Sequence, residues 1–209
     1  MLEVLVVRHG ESLADVEKRF EGRADFELTP LGVAQAERVA AWIHAEYPPQ
    51  VLISSPLKRA ARTAQIIGAA VGLDPRYDDG LLEWNNGQLA GRPKSESDQF
   101  PKTKDGPHPY EEPYETESAI AFRARAHAFW LRLVDDYYQE DGDRRVCLVS
   151  HGGIINMLFR SFLDLPLNTD IGIRTSGTGV HLWRMNEKGR SIVFSNSQIH
   201  LVQRELTVS

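Results

Sequence analysis

The sequence predicts an α/β protein, specifically a three-layer α/β/α sandwich around a mostly parallel central sheet, with a lid insertion. Three observations predict it. Strand-like apolar runs are each followed by an amphipathic segment, two strand-like runs near the end flank a short turn, and one long irregular stretch interrupts the series. At 209 residues the chain fits one domain, residues 1–209, with the insertion at about 93–116. A chain of that size buries about 70% of its unfolded surface.

In the order of the chain, Leu5, Val6 and Val7 of "LVVRHGES" read as the end of a buried strand. Arg8 and His9 therefore fall where a sheet meets solvent, a common place for ligand sites in α/β folds. The segment "LTPLGVAQAERVAAWIHAEYPP" predicts a helix, with Thr29 as N-cap, Pro30 at the first helical position, and Ala36, Val39, Ala40 and Ile43 on one face. Pro48 and Pro49 end it. A short strand from Val51 to Ile53 leads through a Ser55 cap and Pro56 into a second helix, with Ala64, Ile67 and Val71 aligned.

Residues 93–116, "PKSESDQFPKTKDGPHPYEEPYET", are Pro-rich and polar and show no periodicity, which suits a lid better than a linker because they interrupt one domain. A third helix follows in "AIAFRARAHAFWLRLVDDYY", with Phe122, Ala126, Phe129 and Leu133 inward and Arg123 and Arg125 on its solvated side. "RRVCLVSHGGIINMLFRSFL" repeats the pattern of strand, Gly-Gly turn and helix. Finally, "GVHLWRM" and "SIVFSN" flank "NEKG" as a hairpin that adds an antiparallel edge.

Composition narrows the function. Apolar and charged shares of 42% and 25% are ordinary for a globular domain, and the net charge of −5 argues against a nucleic-acid partner. The start "MLEVLVV" lacks a basic n-region, and its apolar run is far shorter than the ~20 residues of a membrane span. A cytoplasmic protein with no membrane partner is expected. The lone Cys147, inside "VCLVS", reads as a small buried residue, and no Cys/His cluster has zinc spacing.

Arg8, His9, Arg59, Glu83 and His151 fall at or beside the ends of predicted strands. Two guanidiniums, two imidazoles and a carboxyl group suit the handling of a phosphoryl group. Arginine forks match phosphate oxygens, neutral imidazole is a competent nucleophile, and a carboxylic acid can protonate a leaving alkoxide. Taken singly, each has a plainer reading as a structural histidine, a surface cation or a loop acid; their joint placement is the signal.

These motifs, in this order, resemble the histidine phosphatase superfamily, the phosphoglycerate-mutase-like group, over most of the chain. "RHGES" resembles its signature, "GRADFELTPLGVAQA" its next block, "SSPLKRAARTA" the segment with a second arginine, and "LLEWNNGQLAGR" the catalytic-acid block. "ETESAIAFRARA" and "SHGG" resemble its later Glu-Ser helix start and second-histidine motif. The resemblance implies that His9 attacks phosphorus, that Arg8, Arg59 and His151 surround the phosphoryl oxygens, and that Glu83 protonates the leaving oxygen. It implies a small-molecule phosphate monoester as partner and no metal or other cofactor. It also places Asp15, Glu21, Gly22 and Gly152 in the substrate-binding set, with Gly10 and Gly152 giving close backbone approach beside the histidines. Glu83 is expected to have a raised pKa.

The chain departs from the pattern in three places. Asp15 stands where the family commonly has asparagine, Glu21 where the mutase branch presents a small hydroxyl residue, and residues 93–116 hold no arginine. That segment has three lysines (Lys94, Lys102, Lys104) against six acids (Glu96, Asp98, Asp105, Glu111, Glu112, Glu115), so a strongly anionic second group on the substrate is poorly invited. Trp84, Phe100, Tyr110 and Tyr114 either line the entrance or pin the loop; His108 is expected to be exposed. His44, His127, His181 and His200 match no motif. The leading expectation is a phosphomonoester hydrolase, ahead of a mutase and of a non-catalytic phospholigand-binding protein. No P-loop run occurs, and the sequence leaves a monomer and a homo-oligomer equally open.

Overall fold

The computed structural model describes residues 1–99, 108–138 and 142–202. The elements run β1 (Leu2–Arg8), α1 (Leu13–Glu17), α2 (Pro30–Glu46), β2 (Val51–Ser54), α3 (Lys58–Val71), β3 (Arg76–Tyr77), α4 (Ala119–Tyr137), β4 (Arg144–Ser150), α5 (Gly152–Phe162), β5 (Val180–Asn186) and β6 (Gly189–Ser197). The six strands form one sheet in the order β3-β2-β4-β1-β5-β6. Its first four strands are parallel, and the β5/β6 hairpin joins antiparallel beside β1.

Period-two alternation explains the three layers. On β1, Leu2, Val4 and Val6 face a core shared with Phe122, Phe129 and Trp130 of α4 and with Ile154, Ile155 and Leu158 of α5. Leu5 and Val7 face the other core, formed by Val39, Ala40 and Ile43 of α2 and Ala60, Ala64 and Ile67 of α3. Cys147 lies in this second core, and burial pushes its thiol up to about 12. No helix among the described residues is long and apolar enough to cross a membrane.

The start of α2 follows local chemistry and the start of α3 does not. The Thr29 side chain accepts from Gly32 N, and Pro30 occupies the first turn of α2. By contrast, Ser55 does not cap α3. Leu57 holds the N-cap position without a side-chain bond, and Asp25 Oδ1 accepts from Lys58 N at 2.7 Å instead. Just after α1, Arg19 bridges to Pro93 and Lys18 O accepts from Lys94 N at 2.8 Å. Phe100, Lys102, Lys104 and Asp105, and with them the middle of the expected lid, lie outside the described residues.

A buried acid ties three strands together at the end of the sheet away from Arg8. Glu3 registers with Arg145 on one side and Arg184 on the other. Its two oxygens accept from both guanidiniums, at 2.6 Å from Arg145 and 2.8 Å from Arg184. Burial raises its pKa, but the bonds from Arg184 and Arg145 outweigh that and hold it below 4.5. The stabilisation is therefore complete above the ordinary carboxylate pKa and is lost as pH falls through the lowered one. Glu3→Gln is expected to cost about 1–3 kcal/mol at neutral pH in denaturant titrations. That gap should close below pH 4.5; a constant gap would contradict the assignment.

Candidate active site

The C-terminal ends of β1, β2 and β4 converge, which is where parallel sheets place ligands. His9 N donates to Ser150 O at 3.0 Å and Ser55 N donates to Val149 O at 3.0 Å, so Arg8, His9, Ser55 and His151 share one edge. Arg59 enters from the first turn of α3. Gly10 packs where a Cβ would overlap the backbone of Gly32, which fixes β1's exit against the start of α2.

The expectation that His9 emerges into solvent is corrected. His9 and His151 are each 1% exposed and Arg59 is 0% exposed. His9 Nδ1 donates to Gly10 O at 2.7 Å, and Arg59 Nε donates to His9 Nε2 at 3.3 Å. The pattern assigns the neutral tautomer with the lone pair on Nε2. Burial, then the charges of Arg59 and Arg8, hold the His9 pKa well below 6.5. Arg59 also donates to Ala24 O (2.9 Å) and Gly22 O (2.8 Å), pinning the segment after α1.

The His151 ring lies 5.1 Å from that of His9, with Nε2 bonded to Ser55 Oγ at 2.8 Å. Burial, then Arg59, keeps it neutral as well. Its Nδ1, like Arg8 Nε and Thr175 Oγ1, is buried without a partner. Buried polar atoms without partners are the kind that a bound oxyanion satisfies.

Arg8 donates to Thr175 O at 3.1 Å and to Asp15 Oδ1 at 3.4 Å. Asp15 also completes a capping box with Ser12 at the start of α1, so it carries both a local structural bond and an arginine. Glu21 receives a short hydrogen bond from Ser12 Oγ. Its oxygens lie 3.8 Å from His9 Nε2 and 3.5 Å from Arg59 Nε.

Glu83 caps α5, accepting from Gly153 N (2.8 Å), Ile154 N (3.1 Å) and Trp84 N (2.8 Å). Burial raises its pKa; those amides and Arg59 oppose the rise without cancelling it. The glycine this geometry requires is Gly153, where a Cβ would collide with the Glu83 carboxyl group. Gly152 was expected to have that role, but a Cβ there meets only Thr175 at ordinary contact distance.

Arg123 and Arg125 do not form a solvated face. Arg123 donates to Met157 O at 3.2 Å and Leu165 O at 3.1 Å. Arg125 forks onto Glu117 at 3.0 and 2.9 Å and donates to Leu82 O at 2.7 Å and Glu83 O at 3.3 Å. The Arg125–Glu117 pair thus holds the backbone that carries Glu83. Glu117 also accepts from Arg23 at 3.4 Å and Asn85 N at 3.3 Å.

A cleft of about 300 Å³ opens onto this edge, with Arg8, Glu21, Glu83, Trp84, Arg19 and Lys94 among its walls. Trp84 is pinned by a bond to Glu117 O at 2.5 Å and stacked on Phe122, while Tyr110 and His108 stack in the open. Sequence reasoning missed Thr175, Ser55 and Gly153, and it missed Arg19 as a wall of the cleft. Only the second glycine of "SHGG" offered a signal. Among the described residues, no group of three or more His, Cys, Asp or Glu side chains has an arrangement that could hold a metal.

The sequence profile described as "Histidine phosphatase superfamily (branch 1)" matches residues 4–198. The chain is 34% identical over 179 residues to the "Probable phosphoglycerate mutase GpmB" of Yersinia pestis (strain Pestoides F), covering 83% of this chain and 80% of that protein. A mycobacterial glucosyl-3-phosphoglycerate phosphatase solved with VO3 superposes with TM-score 0.78 at 26% identity, covering 93% of this chain and 99% of the other. A phosphoserine phosphatase variant from Entamoeba histolytica, in complex with phosphoserine, shares the fold with TM-score 0.79 at 24% identity, covering 97% of this chain and 100% of the other.

The lowered histidine pKa values have a direct readout. In ¹⁵N-detected NMR titrations, both rings should stay neutral as pH falls through 6.5, with His9 in its Nδ1–H form. A His9 midpoint at or above 6.5 would contradict the burial argument.

Proposed function

The chain belongs to branch 1 of the histidine phosphatase superfamily, and on that premise we propose that it is a metal-independent phosphomonoester hydrolase acting through a phosphohistidine on small organic phosphates. The observation that carries this reading is the buried His9, its Nε2 held 3.3 Å from the Nε of the equally buried Arg59. In the first step Nε2 attacks phosphorus in line, the P–O bond to the organic group breaks, and Glu83 gives its proton to the leaving oxygen. In the second, water attacks phosphorus, the Glu83 carboxylate takes a proton from it, and the P–N bond breaks to release orthophosphate. Arg8, Arg59 and His151 meet the charge on the equatorial oxygens.

The cleft walls shape the rest of the substrate. Arg19 and Lys94 stand there with Trp84 and Asn86. An acidic group on the organic portion is therefore more welcome than the composition of residues 93–116 alone implies. The name of the Yersinia relative favours a second reading, a mutase that returns phosphate to its substrate. Glu21 and the absence of arginine from residues 93–116 weigh against it. Phosphate release, as opposed to isomerisation of a phosphorylated hydroxy acid, separates the two.

A phosphate-release panel over many monoesters is the test. Wild type should turn over several of them in excess chelator, and His9→Ala should lose at least about a thousandfold in kcat. Full activity in His9→Ala, or complete loss with chelator, would overturn the reading. The pH profile carries signs as well. Activity should fall at low pH as His9 protonates, well below 6.5, and at high pH as Glu83, raised above 4.5, loses its proton. Glu83→Gln should lower kcat by about a hundredfold or more and abolish the alkaline limb.

A further inference from the structure

We infer that Glu21 is an internal anion that occupies the phosphoryl position of the free protein and sets its affinity for phosphate. The inference rests on the phosphatase reading and adds to it a residue that governs affinity. A reactive phosphorus sits about 3–3.5 Å from its nucleophile. With Glu21 oxygens 3.8 Å from His9 Nε2 and 3.5 Å from Arg59 Nε, a phosphoryl group and this carboxylate compete for the same space and the same cation.

Burial points the same way independently. His9, His151 and Arg59 are essentially without solvent exposure, whereas the Glu21 side chain is 17% exposed and forms part of the cleft wall. Glu21 is thus a partition between the cleft and the nucleophile. Its backbone is fixed on every side. Ala24 N donates to Glu21 O at 2.8 Å, Phe20 exchanges bonds with Gly91 (2.8 Å) and Arg92 (2.9 Å), and Gly22 O accepts from Arg59 at 2.8 Å. Opening is therefore a rotation of one side chain, away from Ser12 Oγ and toward the cleft that Arg19 and Lys94 line.

The same competition operates in reverse after turnover. Orthophosphate leaves as the carboxylate swings back to Arg59, so Glu21 weakens product binding. Glu27, 70% exposed and paired with Lys58 at 3.7 Å, lies outside the walls of this cleft. It supplies a control of equal charge.

Calorimetric titration of orthophosphate into wild type, E21Q and E27Q tests this. E21Q should bind at least about tenfold more tightly than wild type, a change of about 1.4 kcal/mol, and E27Q should change by less than about threefold. Equal binding in wild type and E21Q, by an enzyme that hydrolyses monoesters, would overturn the inference alone. Equal tightening in E21Q and E27Q would also overturn it, because net charge rather than occupancy would then be responsible. No phosphate release from any monoester, with no orthophosphate binding in any form, would overturn the phosphatase reading and this inference together.

Discussion

A guanidinium with no solvent exposure must find all its partners inside the protein, and Arg59 organises the site by finding them. Its two terminal nitrogens take the carbonyls of Gly22 and Ala24, which fixes the chain between α1 and α2. Its Nε takes the His9 lone pair and faces Glu21. One cation therefore adds to burial in keeping a histidine neutral, faces its Nε2 while Gly10 O takes Nδ1, and holds a carboxylate in front of it. Glu83 and His151 are also within reach of its field: it opposes the burial-driven rise of one pKa and deepens the fall of the other.

The sheet makes that arrangement affordable. β1, β4 and β2 lie side by side and parallel, so their exits deliver His9, His151 and Ser55 to one edge. The helix after β4 adds its N-terminal amides, and Glu83 receives them from a loop that Arg125 and Glu117 brace. The acid is half-buried, and its carboxylate form is hydrogen-bonded. That balance leaves a raised pKa and a group able to give and regain a proton in the proposed cycle.

Much of this was legible in the sequence because it rests on local signals. The strand-to-helix repeats, the Thr29–Pro30 start of α2, the inward faces of α2 and α4 and the terminal hairpin all follow from periodicity and turn chemistry. The five chemistry-bearing residues stand out because motifs place them at strand exits. What stayed hidden depends on partners distant in sequence. Arg123 and Arg125 look like solvated helix positions, yet they meet carbonyls about 34 to 43 residues away. The N-terminus of α3 is capped by Asp25, 33 residues upstream, while Ser55 Oγ bonds His151 at 2.8 Å. No pattern in "FEGRAD" announces that its acid folds back onto the nucleophile.

The proposed chemistry turns on a bond between His9 Nε2 and phosphorus during turnover. Rapid quench into base after mixing with a ³²P-labelled monoester, followed by peptide mapping, detects that bond. Base-stable, acid-labile label is expected on the peptide containing His9, reaching a substantial fraction of the enzyme and absent in His9→Ala. Label on another side chain, or full turnover with none on the protein at any time point, would contradict it.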